Sequence, residues 1–233
     1  TEKEIVAFEE GIPLSEIGEP KSGIMTGNND EFLRLWFEVN NSKIGYNMES
    51  FNDINKYKKK WFPYHKGGAF RKWYGNNEYI INMENEGYDI KFSGKNKNYR
   101  LRDSSLYFRE GLTWSDVNSS YFGVRYSPKG YLFDMKGSMI FIDGEYNIKV
   151  LTAILCSKIV GELIKVLNPT ISFQVNDIKR IPVLRIDSDI ENELEKLVDE
   201  NIKISKYEWD QYETSWDFKK HPLISFEKIE KSL

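Results

Sequence analysis

The chain has 233 residues, 40% hydrophobic and 30% charged, enough apolar material for the core of one large domain or two small ones. Its most apolar stretch, 148–167, contains Lys149, Lys158, Glu162 and Lys165 and so cannot cross a bilayer, and the single cysteine, Cys156, excludes an internal disulfide and fits a reducing cytoplasm. A net charge of −3 conceals a basic centre, with −7 over 1–55, +8 over 56–102, +1 over 103–184 and −5 over 185–233.

The first twenty residues scatter apolar among acidic positions without an initiator methionine and read as the continuation of an upstream segment. The turn-rich SGIMTGNN (22–29) leads into 30–37, which offers Phe32, Leu33, Leu35 and Trp36 for packing as a short helical turn or strand. A strand is predicted at 79–83, followed by a polar loop over 85–98. From Leu106 the pattern is β: 106–110, 121–126 and 131–142, with Ser127-Pro128-Lys129-Gly130 between the last two predicting a hairpin turn. Asn147 is positioned to cap one long helix over 148–167 that Asn168-Pro169 ends. A short strand at 171–175 follows, then an amphipathic helix from about Asp189 with Ile190, Leu194, Leu197 and Val198 inward. The aromatic and polar 207–224 suits a segment that docks on another surface.

The stretch 56–75, KYKKKWFPYHKGGAFRKWYG, holds seven Lys and Arg and no acidic residue. Positive charge neutralises backbone phosphates, Gly67 and Gly68 admit a close main-chain approach, and Trp61, Phe62, Phe70, Trp73 and Tyr74 offer flat faces for sugars, bases or packing. The basic region 56–102 is expected to form a contiguous positive face, away from the acidic C-terminal helix. Catalytic machinery is not evident. His65 and His221 have no partner at ligand spacing, and Gly23 through Asn29 lacks the Gly-Lys-Ser/Thr of a phosphate loop. Cys156, in an apolar helix, reads as a core filler.

Five ordered segments, 23–39 (GIMTGNNDEFLRLWFEV), 60–76 (KWFPYHKGGAFRKWYGN), 110–141, 168–183 (NPTISFQVNDIKRIPV) and 204–223, stand out together. In this order they resemble the target-recognition region of large adenine-specific DNA methyltransferases, namely the PglX-type enzymes of BREX phage-defence systems and the type IIG restriction enzymes. The catalytic Asn-Pro-Pro-Tyr motif of that family does not occur in the chain.

The resemblance implies an α+β fold: a twisted, mainly antiparallel sheet with packed helices, forming a DNA target-recognition domain over 1–185 and a truncated helical connector over 186–233. It implies no catalysis by this chain alone. A separate upstream domain of the parent would bind S-adenosylmethionine and methylate a flipped adenine, with or without a fused endonuclease. Implied partners are double-stranded DNA, that methyltransferase domain and proteins of a defence complex, in the cytoplasm and away from membranes.

Candidate DNA-contact residues are Lys58 and Lys59 of the basic run, Lys66, Arg71 and Lys72 of the 60–76 match, and Arg125, placed to reach phosphate. The polar loop 85–102, with Lys95, Asn96, Asn98 and Arg100, is the candidate specificity loop, because amides and Arg can read adenine and guanine through paired hydrogen bonds. Thr26, Gly27 and Asn28 form either a loop facing DNA or the catalytic domain, or a purely structural turn. Two other readings stay open. One is a protein-docking module of a defence complex, whose basic surface meets an acidic partner. The other is a nuclease, which needs a cluster of metal-binding carboxylates.

Overall fold

A computed structural model describes residues 2–92, 98–118, 121–144 and 146–225. In chain order the elements begin with α1 (Glu2–Glu10), β1 (Ile12–Pro13), α2 (Leu14–Ile17), β2 (Glu19–Lys21), α3 (Asn29–Phe32), β3 (Leu33–Leu35), α4 (Asp53–Tyr57), β4 (Trp61–His65), β5 (Tyr79–Asn82) and α5 (Glu84–Phe92). They continue with β6 (Gly111–Trp114), β7 (Val124–Ser127), β8 (Leu132–Phe133), β9 (Met139–Phe141), α6 (Ile148–Leu155), α7 (Lys158–Leu167), α8 (Val175–Lys179), β10 (Pro182–Val183) and α9 (Ser188–Trp209).

Two four-stranded sheets organise the molecule. One runs β2-β9-β6-β7, entirely antiparallel, and the other β3-β5-β4-β8, antiparallel except where β8 joins β4 in parallel with Tyr64 opposite Leu132 and His65 opposite Phe133. The alternation along β9 shows how the sheets stack, since successive side chains of a strand point to opposite faces. Met139 and Phe141 join the core built from Phe62, Tyr64, Leu132 and Phe133 of the second sheet. Ile140, with Leu112, Trp114 and Val124, packs instead on Leu151 and Leu155 of α6, Val160 and Ile164 of α7, and Ile178 of α8. The first sheet is therefore a central layer covered on both faces, which explains why β9 reads as an unbroken apolar run. The architecture is α+β, as expected.

Several elements depart from the sequence reading, each for a local reason. The helix predicted over 148–167 is two helices: Ser157 is extended (ψ 158°) and its Oγ accepts from the Val160 amide at 3.2 Å, starting α7 afresh. The new helix turns a different face inward, leaving Ile159 68% exposed. The Ser127–Gly130 turn does not close a hairpin, because β7 pairs with β6 whereas β8 crosses to the other sheet. The run 106–110 is not a strand, since a 3-10 turn over Ser104–Leu106 precedes it and β6 begins only at Gly111, and 171–175 forms only an isolated bridge between Ser172 and Val117. Within 131–142 the chain turns at 134–137, separating β8 from β9. Part of the predicted 85–98 loop is helical: after three left-handed, non-helical residues, Asn85, Glu86 and Gly87, a short helix runs to Phe92 and buries Ile90.

The long helix α9 packs on α6, with Val198 buried, Lys149 Nζ 2.7 Å from Asp199 and Asn147 donating to Glu195. Ile190 and Leu197, predicted inward, are exposed. Past α9 the chain folds back on this same molecule, where Trp216 meets Tyr46 and Tyr131 and the Trp36 indole donates to the Thr214 carbonyl at 2.9 Å. No helix among the described residues is long and apolar enough to cross a membrane.

Candidate nucleic-acid interface

Four chain segments run side by side at one end of the second sheet. The Asp134 amide donates to the His65 carbonyl (2.9 Å), Ile24 to Phe133 (2.8 Å) and Met135 to Ile24 (3.1 Å), while Met25 and Arg100 exchange both backbone bonds at 3.0 and 2.8 Å. The loops that leave these segments are thereby brought together. Gly137 and Gly67 make the approach possible, since a Cβ on Gly137 would stand 2.2 Å from the His65 oxygen, and Gly67, at φ 91°, would bring one within 2.7 Å of the Lys136 oxygen.

Thr26, Gly27, Asn29, Lys66, Asp134 and Lys136 line the resulting cleft of about 290 Å³. Asn28 caps α3 by accepting from the Glu31 amide at 3.3 Å, and the Thr26 hydroxyl donates to Asn29 Oδ1 at 2.7 Å, so the turn holds its own shape. Asp134, 2% exposed, accepts from Lys66 Nζ at 2.8 Å and from the Tyr64 hydroxyl at 2.9 Å. Burial and the neighbouring Asp134 charge push the Tyr64 phenol well above its ordinary value, so it remains a donor. Lys136 pairs with Asp116, which also accepts from the Ser172 hydroxyl at 3.0 Å. Two ammonium groups thus stand over two buried carboxylates, held in place with little net charge, beside a rim of amides and hydroxyls. Such a cleft can donate to phosphate oxygens and match base edges.

The predicted contact residues fall in several places. Lys66 lies in the cleft, and Asn98 and Arg100 are exposed on the segment paired to Met25 beside it. Lys95 and Asn96 lie outside the described residues. Lys58 is exposed at the left-handed end of α4, whereas Lys59 donates to the Ser42 carbonyl at 2.6 Å.

Among the described residues the expected positive face is broken by internal pairs and is not held away from the acidic C-terminal helix. Lys60 pairs with Glu84 at 3.0 Å, Arg71 pairs with Glu208 of the acidic helix α9 at 2.6 Å and lies 4.9 Å over the Trp209 ring, and Lys72 donates to the Cys156 carbonyl at 2.5 Å. Arg125 is a further correction. It is 2% exposed, reaches Ser115 Oγ at 3.3 Å and cannot touch phosphate in this fold; burial lowers its pKa to about 10 despite the nearby Glu78 charge.

His65 is fully buried, stacked on Tyr131 at 4.3 Å and bonded through Nε2 to Ser127 Oγ at 2.7 Å. Burial and the Arg125 charge hold its pKa down at about 3, so it is neutral at physiological pH and has no exposed face for catalysis. No group of three or more His, Cys, Asp and Glu side chains that could hold a metal occurs among the described residues.

Lys136 and Asp134 escaped sequence reasoning because 131–142 reads as one strand; the Lys-Gly pair at 136–137 was the signal of a turn.

Among curated proteins, the chain is 41% identical over 200 residues to the adenine-specific methyltransferase BrxX of Escherichia coli O9:H4 (strain HS), an alignment covering 85% of the chain. It is 36% identical over 216 residues to the adenine-specific methyltransferase PglX of Lacticaseibacillus casei (strain Zhang), covering 91%. The chain is homologous to part of the BREX adenine-specific methyltransferases BrxX and PglX. It spans only 15% of the BrxX length and 18% of the PglX length. No protein-family model matches it. The BrxX and PglX homology agrees with the resemblance read from the five segments.

The glycine turn at Gly27 is not shaped as an S-adenosylmethionine loop, since it opens a helix of only four residues, Asn29–Phe32, and its polar side chains bond one another.

Proposed function

We propose that this chain is the DNA target-recognition region of an adenine-specific DNA methyltransferase of phage defence, and that it selects the duplex site at which a separate S-adenosylmethionine-binding domain of the same parent protein acts. The observation that carries the reading is 41% and 36% identity to adenine-specific methyltransferases over nearly the whole of a chain that contains no Asn-Pro-Pro-Tyr motif. The cleft supplies chemistry suited to the task. Asn29 in it, and Asn98 and Arg100 on the segment beside it, present amides and a guanidinium that can pair with adenine and guanine edges, while the Lys66 and Lys136 ammonium groups donate to phosphate oxygens and Lys58, exposed elsewhere, adds a further phosphate contact. In this reading 1–185 recognises DNA, and the part from 186 onward, led by α9, connects recognition to the rest of the parent, in the cytoplasm where DNA and cofactor meet.

The test is selection of bound duplexes from a randomised library by the full-length protein, followed by sequencing. A defined enriched motif is expected. Lys66→Ala should weaken binding to every duplex and lower the salt slope by about one, whereas Arg100→Ala should relax preference at one position at a cost of about 1–3 kcal/mol. Recovery of no motif, with binding instead to an acidic protein of the defence system, would replace this reading with the docking module.

A further inference from the structure

We infer that the groove between Phe70 and α7 is a second nucleic-acid site, which receives a single unstacked nucleotide of the bound DNA; the inference rests on the DNA-recognition reading. The groove has a volume of about 500 Å³ and is lined by Phe70 and Lys72, by Tyr121, and by Lys158 and Gly161 of α7. Past Tyr121 and Gly161 it runs on into a smaller hollow of about 190 Å³ bordered by Asn168 and Thr170. A site for one small organic unit occupies roughly 300–1,000 Å³, so the first compartment has the capacity for one nucleotide.

Its chemistry is that of stacking and charge. Tyr121 is 61% exposed and stands edge-on to Phe70 with ring centroids 6.0 Å apart, presenting aromatic surface to the cavity. Lys158 is exposed in the first turn of α7, where the helix dipole adds to its attraction for an anion. The Lys72 ammonium is tied to the Cys156 carbonyl and contributes field rather than reach. The wall carboxylate, Glu162, is held by Lys165 at 2.8 Å. At Gly161 a Cβ would meet nothing within 4 Å, so the floor is open. Aromatic faces with an adjacent cation bind nucleotides without reading base edges, because every base has a π-face. A base inside a duplex has both faces covered. Only an extrahelical or terminal nucleotide can therefore stack here, with its phosphate on Lys158.

The position of the groove supports a continuous path from the recognition cleft. Asp116 pairs with Lys136 of the cleft, and Val117, the next residue, bridges to Ser172 where the smaller hollow begins at Asn118 and Ile171.

The experiment compares binding of the full-length protein to a duplex with one bulged 2-aminopurine and to the same duplex fully paired, by anisotropy and by 2-aminopurine quenching. Tyr121→Ala and Gly161→Glu should weaken binding to the bulged duplex by about 5- to 150-fold and abolish the quenching, with the paired duplex within about twofold of the parent. Tyr121→Phe, which keeps the ring, should restore both. Lys158→Ala should lower the salt slope for the bulged duplex by about one. Lys66→Ala, in the cleft, should weaken both duplexes alike. If the groove variants bind both duplexes as the parent does while Lys66→Ala loses both, the recognition reading stands and the groove inference falls. If the parent binds neither duplex, both fall.

Discussion

Two identical substitutions, Gly137→Ala and Gly161→Ala, should move stability in opposite directions. At Gly137 the added methyl would lie 2.2 Å from the His65 oxygen, 2.7 Å from the Gly67 nitrogen and 2.8 Å from the His65 carbonyl carbon, all main-chain atoms that cannot rotate aside. Overpacking costs about 1–3 kcal/mol in a close-packed interior, and a clash with backbone on two sides belongs at the upper end. At Gly161, inside α7, the same methyl meets nothing within 4 Å and gains helix propensity of up to about 1 kcal/mol. For a chain of this size 1 kcal/mol shifts the melting temperature by about 2–4 °C. Differential scanning calorimetry should therefore place Gly137→Ala about 6–12 °C below the parent and Gly161→Ala about 1–4 °C above it. Gly137→Ala melting within about 1 °C of the parent would refute the close approach of 65–67 and 134–137, and with it the cleft built on that approach.

Other groups give equally concrete expectations. His65, with its pKa held at about 3 against an ordinary 6.5, takes up a proton in the unfolded chain before the folded one, so the stability it contributes is complete above pH 6.5 and is lost as pH falls toward 3. Urea unfolding from pH 6.5 to 4 should show a slope that His65→Phe flattens by up to about 1.4 kcal/mol per pH unit, and equal slopes would contradict the burial. Ser157→Ala, which removes the α7 cap, should cost about 0.5–2 kcal/mol in the same assay, with Ser157→Asp recovering most of it; no loss would show that the cap is not stabilising. Cys156 is buried with its pKa pushed up to about 11 by desolvation, so a thiol reagent at pH 8 should label it only after denaturant is added. Rapid native labelling would place it elsewhere.

What the sequence disclosed was mostly local. The Asn147 cap, the strand at 79–83 and the buried setting of Cys156 all depend on neighbours within a few residues, and all are present with adjusted bounds. What it hid was non-local. The parallel pairing of β4 with β8 joins residues about seventy positions apart, which no turn motif announces, so Pro128 and Gly130 looked like the tip of a hairpin instead of a crossing between sheets. The basic run suffered the same limitation. Lys66, Arg71 and Lys60 are neutralised by Asp134, Glu208 and Glu84, acids that only the fold brings near. Arg125 was indistinguishable from a surface arginine until the Trp73 backbone bridged to it and covered it. The TGNN turn was noticed for its glycine, but its association with Lys66 and Lys136 required the folded chain.

The most direct test of the central claim, that this chain chooses the DNA site, is single-molecule sequencing of methylated adenine in cells expressing the full-length protein with and without a combined Asn29→Ala and Arg100→Ala change. The account predicts that the parent marks one sequence motif and that the variant, folded and still binding S-adenosylmethionine, marks a relaxed motif or none. Unchanged methylation of the same motif by the variant would contradict it.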